Sequence, residues 1–151
     1  ATNGNAWHTT IHPSGGYLYV AGYFDSVVFQ YTVGTSGALT PMTTVPTGSY
    51  PASIAVDPSG KYAYVGNATG SISQYTIVSG AFTPMTPATV GTSQAAWVTI
   101  DASGKYLYST SGYPGSTISQ YTIGTDGTLT PMTPATVGSG SGPNSMVTVQ
   151  K

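Results

Sequence analysis

Nine side chains in this 151-residue chain carry charge, or can acquire it, near neutral pH: four Asp, three Lys and two His. They are Asp25, Asp57, Asp101, Asp126, Lys61, Lys105, Lys151, His8 and His12, and the chain has no Glu, Arg or Cys. Acid–base catalysis needs two such groups converging on one reacting centre. His8 and His12 are four residues apart, so on a strand they would share a face. A metal ion would need further ligands, and the nearest carboxylate in sequence is Asp25. No metal site and no cofactor are expected. Asp57 and Asp101 hold equivalent places in a recurring segment, which sets them apart around an array. Turn capping is their expected role, and His12 takes the same place in the first copy.

The composition narrows the choice further. The chain is 39% hydrophobic and only 5% charged, against about a quarter charged in an ordinary globular chain. A net charge of −1 leaves no basic patch for neutralising phosphates, so nucleic acid is excluded as a partner. The lack of Cys excludes disulfides and thiolate chemistry. No run of about 18 apolar residues could span a membrane, and residue 1 does not open a signal peptide. A mature secreted chain, or a piece of a longer one, is expected to look like this. The surface rich in Thr, Ser, Gly and Tyr points to a secreted or cell-surface location.

The elements that must hold these residues recur. His12-Pro13-Ser14-Gly15-Gly16-Tyr17-Leu18-Tyr19-Val20 returns as Asp57-Pro58-Ser59-Gly60-Lys61-Tyr62-Ala63-Tyr64-Val65. It returns again as Asp101-Ala102-Ser103-Gly104-Lys105-Tyr106-Leu107-Tyr108-Ser109. A spacing near 45 residues marks a repeat architecture. Each repeat reads as four short strands, and no window has helical periodicity. The first strands fall at 7–11, 53–56 and 97–100, and the second at 17–20, 62–65 and 106–109. The third fall at 27–33, 71–77 and 117–123, and the fourth surround 39–42, 82–85 and 129–132. Asp-Pro-Ser-Gly is a tight-turn signal, and Ser79-Gly80 is a shortened turn. Pro41, Pro84 and Pro131 lie in the fourth strands, which must therefore be edges, since Pro cannot donate to a central ladder.

The expected fold is all-β, with β-propeller blades of four antiparallel strands. One domain spans 1–151, with repeats at about 5–50, 51–94 and 95–142 and an extra terminal strand at 143–151, from Pro143 onward. Three blades and one strand do not close a ring of the usual four to eight blades or so. The expectation is a partial propeller, completed by further residues or by partner chains. The terminal strand would be a template for a protein partner or for self-association. The tyrosine pairs Tyr17/Tyr19, Tyr62/Tyr64 and Tyr106/Tyr108 have period two and are expected to fill the space between blades, with a carbohydrate-stacking face as the alternative.

Residues 58–67 (Pro-Ser-Gly-Lys-Tyr-Ala-Tyr-Val-Gly-Asn), the Ser-Gln-Tyr-Thr-Ile segments at 73–77 and 119–123, and Gly-Thr-Leu-Thr-Pro-Met at 127–132 resemble YVTN-type repeats. These are similar to the lactonase-like propellers, and the resemblance covers essentially the whole chain. It implies an exported or surface bacterial or archaeal protein of seven blades. It also implies a comparison for His8, because lactonase-like enzymes often carry an Arg-His pair on strand one at the channel mouth. Here Trp7 stands in the place of the Arg, and the nearby Glu has no counterpart. His8 is thus the one catalytic candidate, and it lacks an evident partner. Trp7, His8 and Trp97 are the candidate binding residues, since aromatic rings in a charge-poor surface suit sugar or protein contacts. Asn67-Ala68-Thr69 fits the N-glycosylation pattern and is placed in a loop after strand two. The expected function is an extracellular or cell-surface structural, protein-binding or glycan-binding module without catalysis. The alternative is a sugar-lactone hydrolase whose remaining catalytic residues lie in missing blades.

Overall fold

The computed structural model describes residues 5–92, 94–95, 97–112 and 114–143. Among them thirteen strands form three antiparallel sheets in chain order. The first sheet holds β1 (Ala6–Ile11), β2 (Tyr17–Gly22) and β3 (Val27–Val33), with β4 (Leu39–Pro41) and β5 (Val45–Pro46) both pairing with β3. The second runs β6 (Pro51–Val56), β7 (Tyr62–Asn67), β8 (Ser71–Val78) and β9 (Ala81–Gly91). The third runs β10 (Trp97–Ile100), β11 (Tyr106–Thr110), β12 (Thr117–Ile123) and β13 (Leu129–Gly138). These are propeller blades, and the all-β partial propeller read from the sequence is what the structure shows. The extra strand expected at 143–151 lies, Pro143 apart, outside the described residues.

The local chemistry explains the strand ends. Gly60 and Gly104 adopt φ of +72° and +71°, and their amides donate to Asp57 O and Asp101 O at 2.9 Å each. Ser79 and Gly80 both take left-handed φ, closing the two-residue hairpin between β8 and β9. The proline-bearing strands are edges, with Pro41, Pro84 and Pro131 opposite Tyr31, Tyr75 and Tyr121. In the second and third sheets the edge strand continues well beyond the stretch marked out by the sequence. A ladder break at Gln74 and Gln120 is bridged there by the glutamine side chains, whose Nε2 groups donate to Pro87 O and Pro134 O at 3.0 Å.

The core lies between the sheets. Tyr19, Ala21 and Val28 of the first sheet meet Ile54, Ala63, Val65 and Phe82 of the second. Tyr64 and Ile72 of the second meet Val98, Leu107, Tyr121 and Leu129 of the third. Each junction also carries the same polar clamp. Tyr19 opposes Gln30 across β2 and β3, and Tyr64 opposes Gln74 across β7 and β8, so each pair shares a face. Tyr19 Oη donates to Gly80 O at 2.9 Å, while Gln30 Oε1 accepts from Phe82 N at 2.8 Å. In the next junction Tyr64 Oη donates to Gly127 O at 2.6 Å, and Gln74 Oε1 accepts from Leu129 N at 2.8 Å. Burial raises the pKa of both hydroxyls far above the ordinary tyrosine value, which keeps them as donors.

Candidate functional site

His8 lies in β1, opposite Ala21, just past an irregularity in the pairing with β2. Its ring reaches the second sheet, where Nδ1 accepts from Ile54 N at 3.1 Å. One repeat later Ser53 holds the equivalent place, and its Oγ accepts from Val98 N at 2.8 Å. His8 therefore does what a serine does elsewhere: it satisfies the first strand of the next blade. Its burial lowers its pKa, so the neutral ring is the favoured form. This form suits an Nδ1 acceptor, and only Nε2 remains for other chemistry.

His12 caps the first turn and also crosses to the second blade. Ser14 N donates to Nδ1 at 3.1 Å, which places the proton on Nε2, and Nε2 donates to Gly60 O at 2.9 Å. The two histidines are thus held separately against the second sheet. Asp57 uses both oxygens inside its own turn, accepting from Lys61 N, Tyr62 N and Ser59 N at 2.8, 2.7 and 3.0 Å. Asp101 repeats the pattern with Lys105, Tyr106 and Ser103. Its slight burial pushes its pKa up, but the bonds from Ser103, Tyr106 and Lys105 outweigh that, and the net shift is downward. Among the described residues no group of three or more His, Cys, Asp or Glu stands ready for a metal ion.

Asn67 is not in a loop. It ends β7, fully buried, because its amide joins a hydroxyl network at the blade seam. Oδ1 accepts from Thr47 Oγ1 at 3.1 Å, and Nδ2 donates to Ser71 Oγ and Ser73 Oγ at 3.1 and 2.9 Å. A glycan on that nitrogen would replace one of its two hydrogens and so remove at least one of these bonds.

The two tryptophans part company. Trp97 meets His8 edge-on, with ring centroids 5.1 Å apart. Trp7 is exposed and stacks on Tyr23 at 4.8 Å. Tyr23 in turn contacts Phe24 and Tyr50 at 5.1 and 5.2 Å, and Phe24 contacts Tyr50 at 6.3 Å. Trp7, Phe24 and Tyr50 are all exposed, so these rings form a continuous aromatic surface. It is built from the start of β1, the turn between β2 and β3, and the residue before β6. Asp25 belongs to the same turn, and its Oδ2 is buried with no hydrogen-bond partner among the described residues. The sequence reading found Trp7 but missed Tyr23, Phe24 and Tyr50. The available signal was the adjacent Tyr23-Phe24 pair in a turn where the second repeat has Ala68-Thr69. A separate cleft of about 260 Å³ along the seam of the first two sheets is lined by Pro46, Thr47, Ser73, Tyr75, Pro84 and Thr89, without a carboxylate or histidine.

Known proteins place this geometry. In structure the chain is similar to a candidate 6-phosphogluconolactonase of Bacteroides fragilis, with 19% identity and a TM-score of 0.81 over 91% of this chain and 40% of that one. It is similar to the periplasmic gluconolactonase of Pseudomonas aeruginosa, with 19% identity and a TM-score of 0.72 over 83% and 40%. It is also similar to the RRP9 WD40 repeats, with 14% identity and a TM-score of 0.69 over 86% and 38%. At these identities the likeness is one of fold, and the chain spans about two fifths of each structure's length. None of the curated proteins compared matches it. The family model for the lactonase seven-bladed β-propeller matches residues 2–71 and 18–150. Together these stretches take in nearly the whole chain, which therefore belongs to the lactonase seven-bladed β-propeller family.

Proposed function

We propose that this chain is a binding module for a neutral, hydroxyl-rich ligand such as an oligosaccharide, at an extracellular or cell surface, and that it does not hydrolyse what it binds. The observation that carries this reading is the exposed surface of Trp7, Tyr23, Phe24 and Tyr50. Aromatic faces with polar tips suit ligands that are apolar on one side and wet on the other. The engagement of His8 Nδ1 by a backbone amide supports the non-catalytic part, and the charge-poor composition supports the location. The repeats are read as YVTN-type on the same sequence segments. Calorimetric titration with a panel of neutral gluco-oligosaccharides tests the binding. Phe24→Ala should weaken it at least about tenfold, the loss typical of a binding hot spot. Equal affinity in wild type and variant would remove the aromatic surface from the reading.

The family match favours a second reading, a sugar-lactone hydrolase using His8 with groups outside this chain. Glucono-δ-lactone hydrolysis that disappears in His8→Ala supports it. No turnover by a full seven-bladed protein that contains this chain, or an unchanged rate when His8→Ala is made in it, discards it. Self-association through residues 143–151 is a further part of the proposal. Deleting them should alter the native mass or the thermal midpoint, and a deletion that changes neither argues against that role.

A further inference from the structure

Every Thr-Pro pair of the chain lies in the outermost strand of a sheet. They are Thr40-Pro41 in β4, Thr83-Pro84 and Thr86-Pro87 in β9, and Thr130-Pro131 and Thr133-Pro134 in β13. All of these threonines are exposed. β9 decides what that exposure means, because the second sheet is packed on both sides, by the first sheet and by the third, and Thr83 and Thr86 still face solvent. Further blades would stack on the first and third sheets and leave this rim as it is. Thr83 and Thr130 stand opposite Thr76 and Thr122, which donate to their carbonyl oxygens. Thr86 lies in the ladder break between Pro84 and Thr89, and Thr133 in the matching break between Pro131 and Thr136. Among the described residues, the hydroxyls of these four have no protein partner. The proline that follows each one holds it extended. Thr-Pro-Met-Thr-Pro-Ala-Thr-Val-Gly is written identically at 83–91 and 130–138, while packed residues of the same repeats differ, as Phe82 and Leu129 or Ala63 and Leu107 do. Core packing therefore does not account for the matching threonines.

We propose that Thr83 and Thr86 of β9, and Thr130 and Thr133 of β13, are acceptors for O-linked sugars on the outer wall of the propeller. Threonines interleaved with proline are the usual setting for such glycans. Here the hydroxyls are free in solvent, in contrast to the buried Asn67 amide. In the transfer, threonine Oγ bonds to the anomeric carbon of a sugar activated as a phosphate ester of a nucleotide or a lipid. The bond from that carbon to the phosphate oxygen breaks, the phosphate leaves with the electron pair, and the hydroxyl proton passes to a base of the transferase. The glycans would meet a physical need of the rim. Exposed strand edges are commonly guarded by charged side chains, but residues 81–91 and 129–138 contain no Lys, Arg, Asp or Glu. Proline and the ladder breaks blunt these edges, and a hydrated sugar beside each would keep other strands from pairing there.

The test is mass spectrometry of the protein purified from the organism that makes it. Trypsin cuts after Lys61, Lys105 and Lys151, so residues 62–105 carry the first pair of threonines and residues 106–151 the second. Both peptides should be heavier than their sequences by whole hexose or N-acetylhexosamine residues. Electron-transfer fragmentation should place the sugars on Thr83 or Thr86 and on Thr130 or Thr133. Replacing all four by valine, which keeps the β-branched shape at exposed positions, should return both peptides to their sequence masses with an unchanged thermal midpoint for the polypeptide freed of sugar. Sequence masses in the wild type overturn the proposal. So do phosphate increments, sugars placed only on other residues, and sugar masses that persist in the valine variant. A sugar held by the aromatic surface of Trp7 and Phe24 is lost on denaturation and a glycosidic bond is not, so binding at that surface and modification of the rim succeed or fail separately.

Discussion

At the scale of single residues, the decisive one is His8. Its place in the first repeat is Ser53's place in the second, and both accept from a backbone amide of the next sheet. The fold therefore favours a neutral ring, and burial depresses the pKa below its ordinary value of 6.5. A histidine depressed in the folded state contributes stability at pH above the unfolded value. That contribution is lost as pH falls below 6.5 toward the folded pKa. The thermal midpoint should thus begin to drop as pH falls below about 6.5. His8→Ser keeps an acceptor that does not titrate and should flatten the drop in that window. An equally steep profile in the variant would show that His8 is not the group responsible. Sequence reasoning could place His8 on strand one and Asp57 and Asp101 in their turns, because strand alternation and Asp-Pro-Ser-Gly are local signals. It could not foresee Asn67 buried, since the partners that satisfy its amide include Thr47, twenty residues away.

At the scale of elements, the strand pattern was legible because β-branched and aromatic runs alternate between Gly and Pro turns. The clamp was legible only in half. Period-two tyrosines point between blades, but Gln30 and Gln74 read as polar residues on a strand, and their partners are 52 and 55 residues away. Removing one clamp bond with Tyr64→Phe should cost about 1 kcal/mol, the usual net value of a buried hydrogen bond. Gly127→Ala should cost more. Its φ of +83° strains any side chain, and the new Cβ meets the Tyr62 ring, so strain and overpacking together come to about 2–4 kcal/mol. Gly37→Ala has nearly the same φ, +80°, but open space around it, and should cost only about 1 kcal/mol. Denaturant melts of the three variants check the order, and equal losses at Gly37 and Gly127 would contradict the interblade contact.

At the scale of the whole molecule, the repeat and the turn chemistry make the family recognisable, and the structure bears out the blades. The aromatic surface was hidden because its rings come from three separate segments that only the first junction brings together. Trp7 and Trp97, the chain's two tryptophans, report on different surroundings, one exposed and one against His8. In a Trp97→Phe variant the fluorescence comes from Trp7 alone, and Trp7 lies on the surface proposed to bind ligand. Titrating that variant with the neutral oligosaccharide panel is the most direct measurement. A saturable change in Trp7 emission, abolished when Phe24→Ala is added, is the expected result. Emission that stays constant across the panel, while the protein remains folded, would contradict a sugar-binding role for this surface.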